Sequence, residues 1–313
     1  MLNQTNLAHR RSAFTLVEIM VAAAITIIMI GLVVQITGEV LKLWNRSMGK
    51  LSANAEARIA MELLTSDLEA SLLRNDGMLW LYSVDDGSLP SIGNYSPKTI
   101  TLAMFTTAQD RVQLDQSGNV IPGNICAVQY QLVYQNPVTG LPNDESNAFA
   151  LHRRLIDPVT TFSELMGTGN QGNFGTWLNG EIPIDTAKVN LGKSVYSPPK
   201  TSEYYLAGNI VDFQVEFFVV DDDGVARVVP SPVEYGGDTP TVGPQTTDED
   251  LRYPIEYADI SMTIVSSEGM NILRNLAVPD RGGTGYEANE ADKVILQHGE
   301  VFKRRVNFQA KPL

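Results

Sequence analysis

The sequence predicts an α+β chain: one long amino-terminal helix, apolar in its first half and amphipathic in its second, packed on antiparallel β-sheet with long loops. Three observations carry this. No charged residue occurs from Ile19 to Gly38. No proline precedes Pro90, and all 16 prolines fall from there onward. Beyond that point several segments alternate apolar and polar residues with the period of two that a half-buried strand requires.

The helix comes first. A proline-free stretch rich in helix formers predicts one helix from about Phe14 to Arg74, with Asn75-Asp76-Gly77 as its stop. Its uncharged run of 20 residues covers about 30 Å at helical rise, the thickness of a bilayer's hydrocarbon core. His9, Arg10 and Arg11 precede the run, which predicts an amino terminus held in the cytoplasm. A secretory signal would be cut after its apolar run, beside small residues. Here Glu39-Val40-Leu41-Lys42-Leu43-Trp44 continues the helix instead, so the apolar run is expected to be retained. Past the membrane, Trp44, Met48, Leu51, Ala55, Ile59 and Leu63 recur at steps of three and four, with Ala60, Leu64, Leu68 and Leu72 as the adjoining row. This stripe is expected to pack on the sheet. A soluble coiled coil is the alternative, although no clean heptad lasts four repeats.

The strands follow. Val211, Phe213, Val215 and Phe217 alternate with Asp212, Gln214 and Glu216; Ile260, Met262 and Ile264 alternate with Asp259, Ser261 and Thr263. Further strands are expected over Thr99 to Phe105, Cys126 to Tyr134, Phe149 to Leu155, Val225 to Val229 and Val301 to Phe308. Asp221-Asp222-Asp223-Gly224 is the turn expected between two of them. Met166 to Pro199, Pro230 to Pro254 and Pro279 to Asp292 are expected as long polar connections.

Composition narrows the function classes. The 313 residues suffice for a full core, and 43% hydrophobic with 19% charged residues is ordinary for a globular protein. The formal charge is −13, and removing Arg10 and Arg11 takes it to −15; such a surface repels nucleic acid, so none is expected as a partner. The single cysteine, Cys126, excludes an intramolecular disulfide and a cysteine zinc site, and its apolar surroundings suit a small buried hydrophobe. His152 and His298 lie in no metal-ligand spacing, and His152, beside Arg153 and Arg154, is expected at the surface. Gly167-Thr168-Gly169-Asn170-Gln171-Gly172 matches the dinucleotide glycine pattern by letter only, because no strand precedes it and no helix follows. Asp221, Asp222 and Asp223 could contribute to calcium binding, although the spaced ligands of an EF-hand loop are missing and no cofactor is expected. With no Gly-x-Ser-x-Gly elbow and no cysteine nucleophile in a recognisable set, the chain is expected not to be an enzyme. A membrane-tethered enzyme is the outlying alternative.

Glu18 requires explanation. A carboxylate near the centre of a membrane span costs about 2–3 kcal/mol, and such a residue usually has a partner. A plain single-pass anchor gives no reason for it. The run Ser12-Ala13-Phe14-Thr15-Leu16-Val17-Glu18, with basic residues before it and the apolar helix after it, resembles the class III signal of type IV pilins and type II secretion pseudopilins. The resemblance implies a type IV pilin-like fold and a leader over residues 1–13. It also implies a cut by the prepilin peptidase between Ala13 and Phe14, and methylation of the new Phe14 amino group. Glu18 would then pair with the Phe14 ammonium of a neighbouring subunit, which suits an ion pair in low dielectric. The usual residue before the cut is Gly; Ala13 is small enough that processing is still expected. By this reading residues 14–43 form the membrane half of the helix and residues 44–313 a periplasmic domain, in a single-pass protein of a bacterial inner membrane.

The resemblance extends more weakly along the chain. Ala57 to Leu68, Leu206 to Phe213, Ala258 to Ile264 and Phe302-Lys303-Arg304-Arg305-Val306 are similar to stretches of the minor pseudopilin J family and the related minor pilin W. What this implies is a minor subunit that starts, or sits near the tip of, a pseudopilus assisting protein export. Its implied partners are I- and K-like minor pseudopilins, the major pseudopilin and an inner-membrane assembly platform. Members of the K family lack the glutamate as a rule, so Glu18 argues against the capping position. The alternative is a minor pilin of a type IV pilus, serving assembly, adhesion or DNA uptake.

Overall fold

The computed structural model describes residues 15–87, 89–91, 95–107, 123–136, 148–166, 205–237, 239–277 and 290–308. The architecture is α+β, a long amino-terminal helix followed by antiparallel sheets. The chain divides into two units, Met1–Met48 and Gly49–Leu313.

The helix α1, Leu16–Glu69, has residues in both units. In the first unit its apolar side chains face outward all round: Leu16 is 74% exposed, Ile27 70% and Val34 66%. Two hydroxyls within the run are satisfied inside the helix, Thr26 Oγ1 donating to Ala22 O at 2.8 Å and Thr37 Oγ1 to Val33 O at 2.7 Å. A helix whose hydroxyls close on its own carbonyls and whose surface from Ile19 to Gly38 is hydrocarbon apart from Gln35 suits lipid, and its length and composition are sufficient to cross a membrane.

Among the described residues of the second unit ten strands form two sheets. β1 (Leu79–Asp85), β2 (Ile100–Thr106), β3 (Cys126–Gln135), β4 (Ala148–Ile156), β5 (Tyr205–Gly208) and β8 (Val233–Gly236) make a six-stranded sheet in the order β5-β4-β3-β2-β1-β8. β6 (Ile210–Val220), β7 (Ala226–Val228), β9 (Ile255–Val265) and β10 (Gly299–Asn307) make a four-stranded sheet in the order β10-β9-β6-β7. All these pairings are antiparallel. The sheets meet at one parallel bridge, Thr99 to Phe213, where Phe213 N donates to Lys98 O at 2.9 Å. β2 is buried at every residue, as a strand covered on both faces must be. β6 alternates instead, with Phe213, Val215, Phe217 and Val219 in the core that also holds Ile260, Met262 and Ile264.

Three expectations about this unit need correction. The face of α1 that enters the core is Ala53, Ala57, Ala60, Met61, Leu64 and Leu68, whereas Leu51 and Ile59 of the expected stripe stay 63% and 61% exposed. The two rows lie about half a turn apart at 3.6 residues per turn. The opposite face docks because Ala53, Ala57 and Ala60 let the helix axis approach the sheet before Leu64 and Leu68 fill the remaining space. Second, α1 ends at Glu69 and not at Arg74. Ser71 bridges Thr106, Leu72 N donates to Phe105 O at 2.9 Å, and Thr107 N donates to Ala70 O at 3.0 Å. These residues exchange helical hydrogen bonds for pairing with the end of β2. Third, the stretch from Pro230 to Pro254 is no plain connection, since it contains β8 and the short helical turn Glu249–Leu251.

Two longer helices were not expected, Ser267–Ala277 and Glu290–His298, nor were the helical turn Pro158–Thr160 and the π-helix Thr161–Leu165 that follows it. The first begins at a cap, with Gly269 N donating to Ser266 Oγ at 3.3 Å. Gly269 is required there, because a Cβ would lie 2.4 Å from His298 Cβ and 2.6 Å from Val265 Cγ1. Met270, Leu273 and Ala291 of the pair pack with Phe149, Val211 and Val265 in a smaller second core. β1 and β5 were likewise absent from the expected strands.

Candidate functional site

The amino-terminal end of α1 carries the residues singled out by sequence. Ala13 and Phe14 lie outside the described residues. Glu18 is described, and its carboxylate turns back on its own helix start: Thr15 N donates to Glu18 Oε2 at 3.1 Å and Thr15 Oγ1 donates to the same oxygen at 3.2 Å. Glu18 N donates in return to Thr15 Oγ1 at 3.3 Å. This is a reciprocal capping box, Thr-x-x-Glu, and it satisfies two N–H groups that the first helical turn leaves open. It also sets the negative charge at the positive end of the helix dipole. Within one chain, therefore, Glu18 already has a partner in Thr15, a role visible in the Thr15-Leu16-Val17-Glu18 spacing that the sequence expectation overlooked.

At its other end α1 is fixed by a charged group that sequence did not single out. Asp67, in the last turn, is fully buried and receives Arg153 Nε at 2.7 Å and Arg153 Nη2 at 3.0 Å. Tyr130 of β3 donates its hydroxyl to the same carboxylate at 2.5 Å, and Arg153 Nε lies 3.1 Å from that hydroxyl. Burial, with Asp67 beside it, pushes the Tyr130 phenol well above its ordinary value, so it remains a donor. Helix, β3 and β4 are thereby tied by one charge-assisted cluster. A second tie holds β5, where Gly208 N donates to Glu56 Oε2 at 3.1 Å.

His152 is a further correction. It is 3% exposed and not at the surface, with Nδ1 3.1 Å from Ala150 O and Nε2 3.4 Å from Gln135 Nε2. Burial lowers its pKa, only partly opposed by the Ala150 hydrogen bond. The alternation of β4 fails to announce this because both of its faces are covered over much of its length.

The acidic turn is where the sequence placed it, between β6 and β7. Asp221 Oδ1 accepts Val225 N at 2.8 Å and Asp223 N at 3.1 Å, and Arg227 Nη2 lies 3.4 Å from Asp221 Oδ2. Asp221 is thus used in shaping the turn. Among the described residues no group of three or more His, Cys, Asp or Glu is placed to hold a metal ion. The glycine-rich run 167–172 lies outside the described residues. Among the described residues a serine hydroxyl and an imidazole come together at Ser266 Oγ and His298 Nδ1, 3.5 Å apart. Ser266 already caps a helix, both residues are buried, and the adjoining space of about 20 Å³ has room for little more than one water. Cys126 is buried, as expected.

In the second unit Leu51, Ala55 and Ile59 form an outward row on α1, opposite the docked face.

No protein-family model matches the chain. No curated protein sequence matches it either. Among solved structures, a type IV-like pilin from Thermus thermophilus aligns at 8% identity and a TM-score of 0.32, over 82% of this chain and 94% of that one.

Proposed function

We propose that this chain is a filament subunit of the type IV pilin class, anchored by the first half of α1, cut between Ala13 and Phe14 and methylated at Phe14. The observation that carries the proposal is Glu18, an acid at the start of an outward-facing apolar helix, inside the run Phe14-Thr15-Leu16-Val17-Glu18. The capping box holds the carboxylate while the chain is alone; the Phe14 ammonium of a neighbour, created by cleavage, offers a full counter-charge in its place. The outward row Leu51, Ala55 and Ile59 then packs against neighbouring helices once the subunit leaves the bilayer. The reaction at Phe14 belongs to the prepilin peptidase, and the work of assembly to an inner-membrane platform. The chain itself acts mechanically, by packing.

Within that class the reading is a J-like minor pseudopilin of a type II secretion system, in company with I- and K-like minor subunits and a major pseudopilin. Its support is the similarity of Ala57 to Leu68, Leu206 to Phe213, Ala258 to Ile264 and Phe302 to Val306 to that family. A minor pilin of a type IV pilus is the second reading, and neighbouring genes separate the two. A secretin with I- and K-like genes favours secretion; a retraction ATPase gene favours the pilus. Calcium at the Asp221 turn is not part of the proposal.

The test is the mass of the native protein together with Glu18→Ala. The expected mass is that of a chain beginning at methylated Phe14, and Glu18→Ala is expected to be cleaved normally yet to enter filaments poorly. A native chain that retains Met1, or normal incorporation of the variant, overturns the proposal.

A further inference from the structure

The uncharged run of α1, Ile19 to Gly38, contains three polar side chains, Thr26, Gln35 and Thr37. Both threonine hydroxyls close on the carbonyl four residues back. Gln35 is exposed, and among the described residues its side-chain amide makes no hydrogen bond. In water such an amide is satisfied by solvent. In the membrane anchor proposed above, on which the inference rests, it lies in hydrocarbon, where an unpartnered amide is costly. The nearby headgroup region does not serve it either. Gln35 stands three residues inside the end of the run, about 4.5 Å by helical rise. Side chains of a helix lean toward its amino terminus, which at this end of the span leads deeper into the bilayer. Gln35 therefore calls for a donor and an acceptor on a neighbouring helix.

The surface around Gln35 suits a helix at close range. Gly31 and Gly38, four residues before it and three after, share its face. Glycine is a poor helix former. A Cβ at either position would meet nothing within 4 Å, so no packing inside the chain requires glycine there. What the two glycines supply is room outside the chain, where a second backbone can approach closely enough for side-chain amides to meet.

The occupant that fits this face is a second copy. An amide carries both a donor and an acceptor, so Gln35 is complementary to itself. With one membrane-length helix among the described residues, two anchored copies enter the bilayer in one orientation and to one depth. Their Gln35 residues then stand level on parallel helices. Lys42 lies on the same face two turns further on, exposed and beyond the uncharged run, where water and salt screen it from its like. Glu18 lies about 100° round the helix from Gln35 at 3.6 residues per turn, which leaves the acid free for its own pairing.

We propose that the anchored chain pairs with a second copy inside the membrane through the first half of α1. The two helices run parallel, with Gln35 of each copy hydrogen-bonded to Gln35 of the other and Gly31 and Gly38 at the closest approach. The amide makes the contact specific, and the glycines make it close. This pair forms between anchors and does not use the Phe14 amine that cleavage creates.

The test uses the full chain, purified and reconstituted in phosphatidylcholine vesicles, with energy transfer between donor- and acceptor-labelled copies followed as lipid dilutes the protein. The native chain is expected to associate. Gln35→Leu should lower the association constant about three- to twentyfold, and Gln35→Asn, which retains an amide, should lower it less. In a Cys126→Ala background, Gly31→Cys and Gly38→Cys are expected to cross-link between copies, whereas Met29→Cys and Val33→Cys, on the opposite face, are not. A membrane-bound chain that stays monomeric, association unchanged in Gln35→Leu, or equal cross-linking on both faces overturns the proposal and leaves the anchor standing. Release of the chain from the vesicles by alkaline extraction overturns the anchor and the pair together.

Discussion

The two halves of α1 belong to one continuous helix and meet opposite fates. From Leu16 to Trp44 the apolar side chains point outward on every side, whereas from Ala53 to Leu68 one face is sealed in the core and the other is left open. The difference is periodicity. The first half is apolar all round, as a lipid-facing helix must be, and the second confines its apolar residues to rows. Two rows were available in the second half, and the sheet selected the one that begins with alanines. The same element therefore presents two kinds of surface, and the outward row Leu51, Ala55 and Ile59 is the part of the docked half that still resembles the first half.

The comparison can be broken most sharply at the buried charge cluster. Removing the carboxylate in Asp67→Ala leaves Arg153 buried without its counter-charge and is expected to cost about 3–5 kcal/mol of unfolding free energy, measured by denaturant titration in detergent. Asp67→Leu combined with Arg153→Met should recover most of that loss. A small effect from Asp67→Ala would mean that the helix is not fixed by this cluster.

A smaller effect separates the halves directly. Leu64→Ala, in the docked half, is expected to destabilise by about 2–5 kcal/mol, while Leu32→Ala, in the outward-facing half, should change unfolding of the sheet region by no more than about 0.5 kcal/mol. Equal effects would refute the division of labour along α1.

The smallest effect is set by pH. Burial favours the neutral His152 ring, so its folded-state pKa lies below the ordinary 6.5. The unfolded chain then binds more protons than the folded one just below 6.5, and the sign follows: stability is full above that value and declines as pH falls from it toward the folded pKa. His152→Gln, which retains a polar group beside Gln135, should flatten the decline. An unchanged pH profile would place the titrating group elsewhere.

Much of this was legible in the chain. The proline-free run, the uncharged segment and the alternation of Val211 to Phe217 and Ile260 to Ile264 lead directly to α1, β6 and β9, because each depends on a local period that side-chain chemistry displays. The Asp221 turn was legible for the same reason. β8 was not, since four residues between prolines carry no period. The capped helix at Ser267 was hidden by a low overall hydrophobicity, although Ser266 and Glu268 mark its start. At the candidate site the sequence located Glu18 but not its bond to Thr15, and it gave no hint of Asp67 with Arg153, which are 86 residues apart.

The sequence by itself determined that the chain begins with a membrane-length helix bearing one acid, Glu18, and ends in antiparallel sheet, because hydropathy and period are properties of neighbours along the chain. Only the tertiary structure decided which row of α1 docks, that His152 and Arg153 are inside, and that β10 lies at a sheet edge. Those outcomes depend on what lies across from a residue, and strand order and helix rotation set that through packing, not through local sequence.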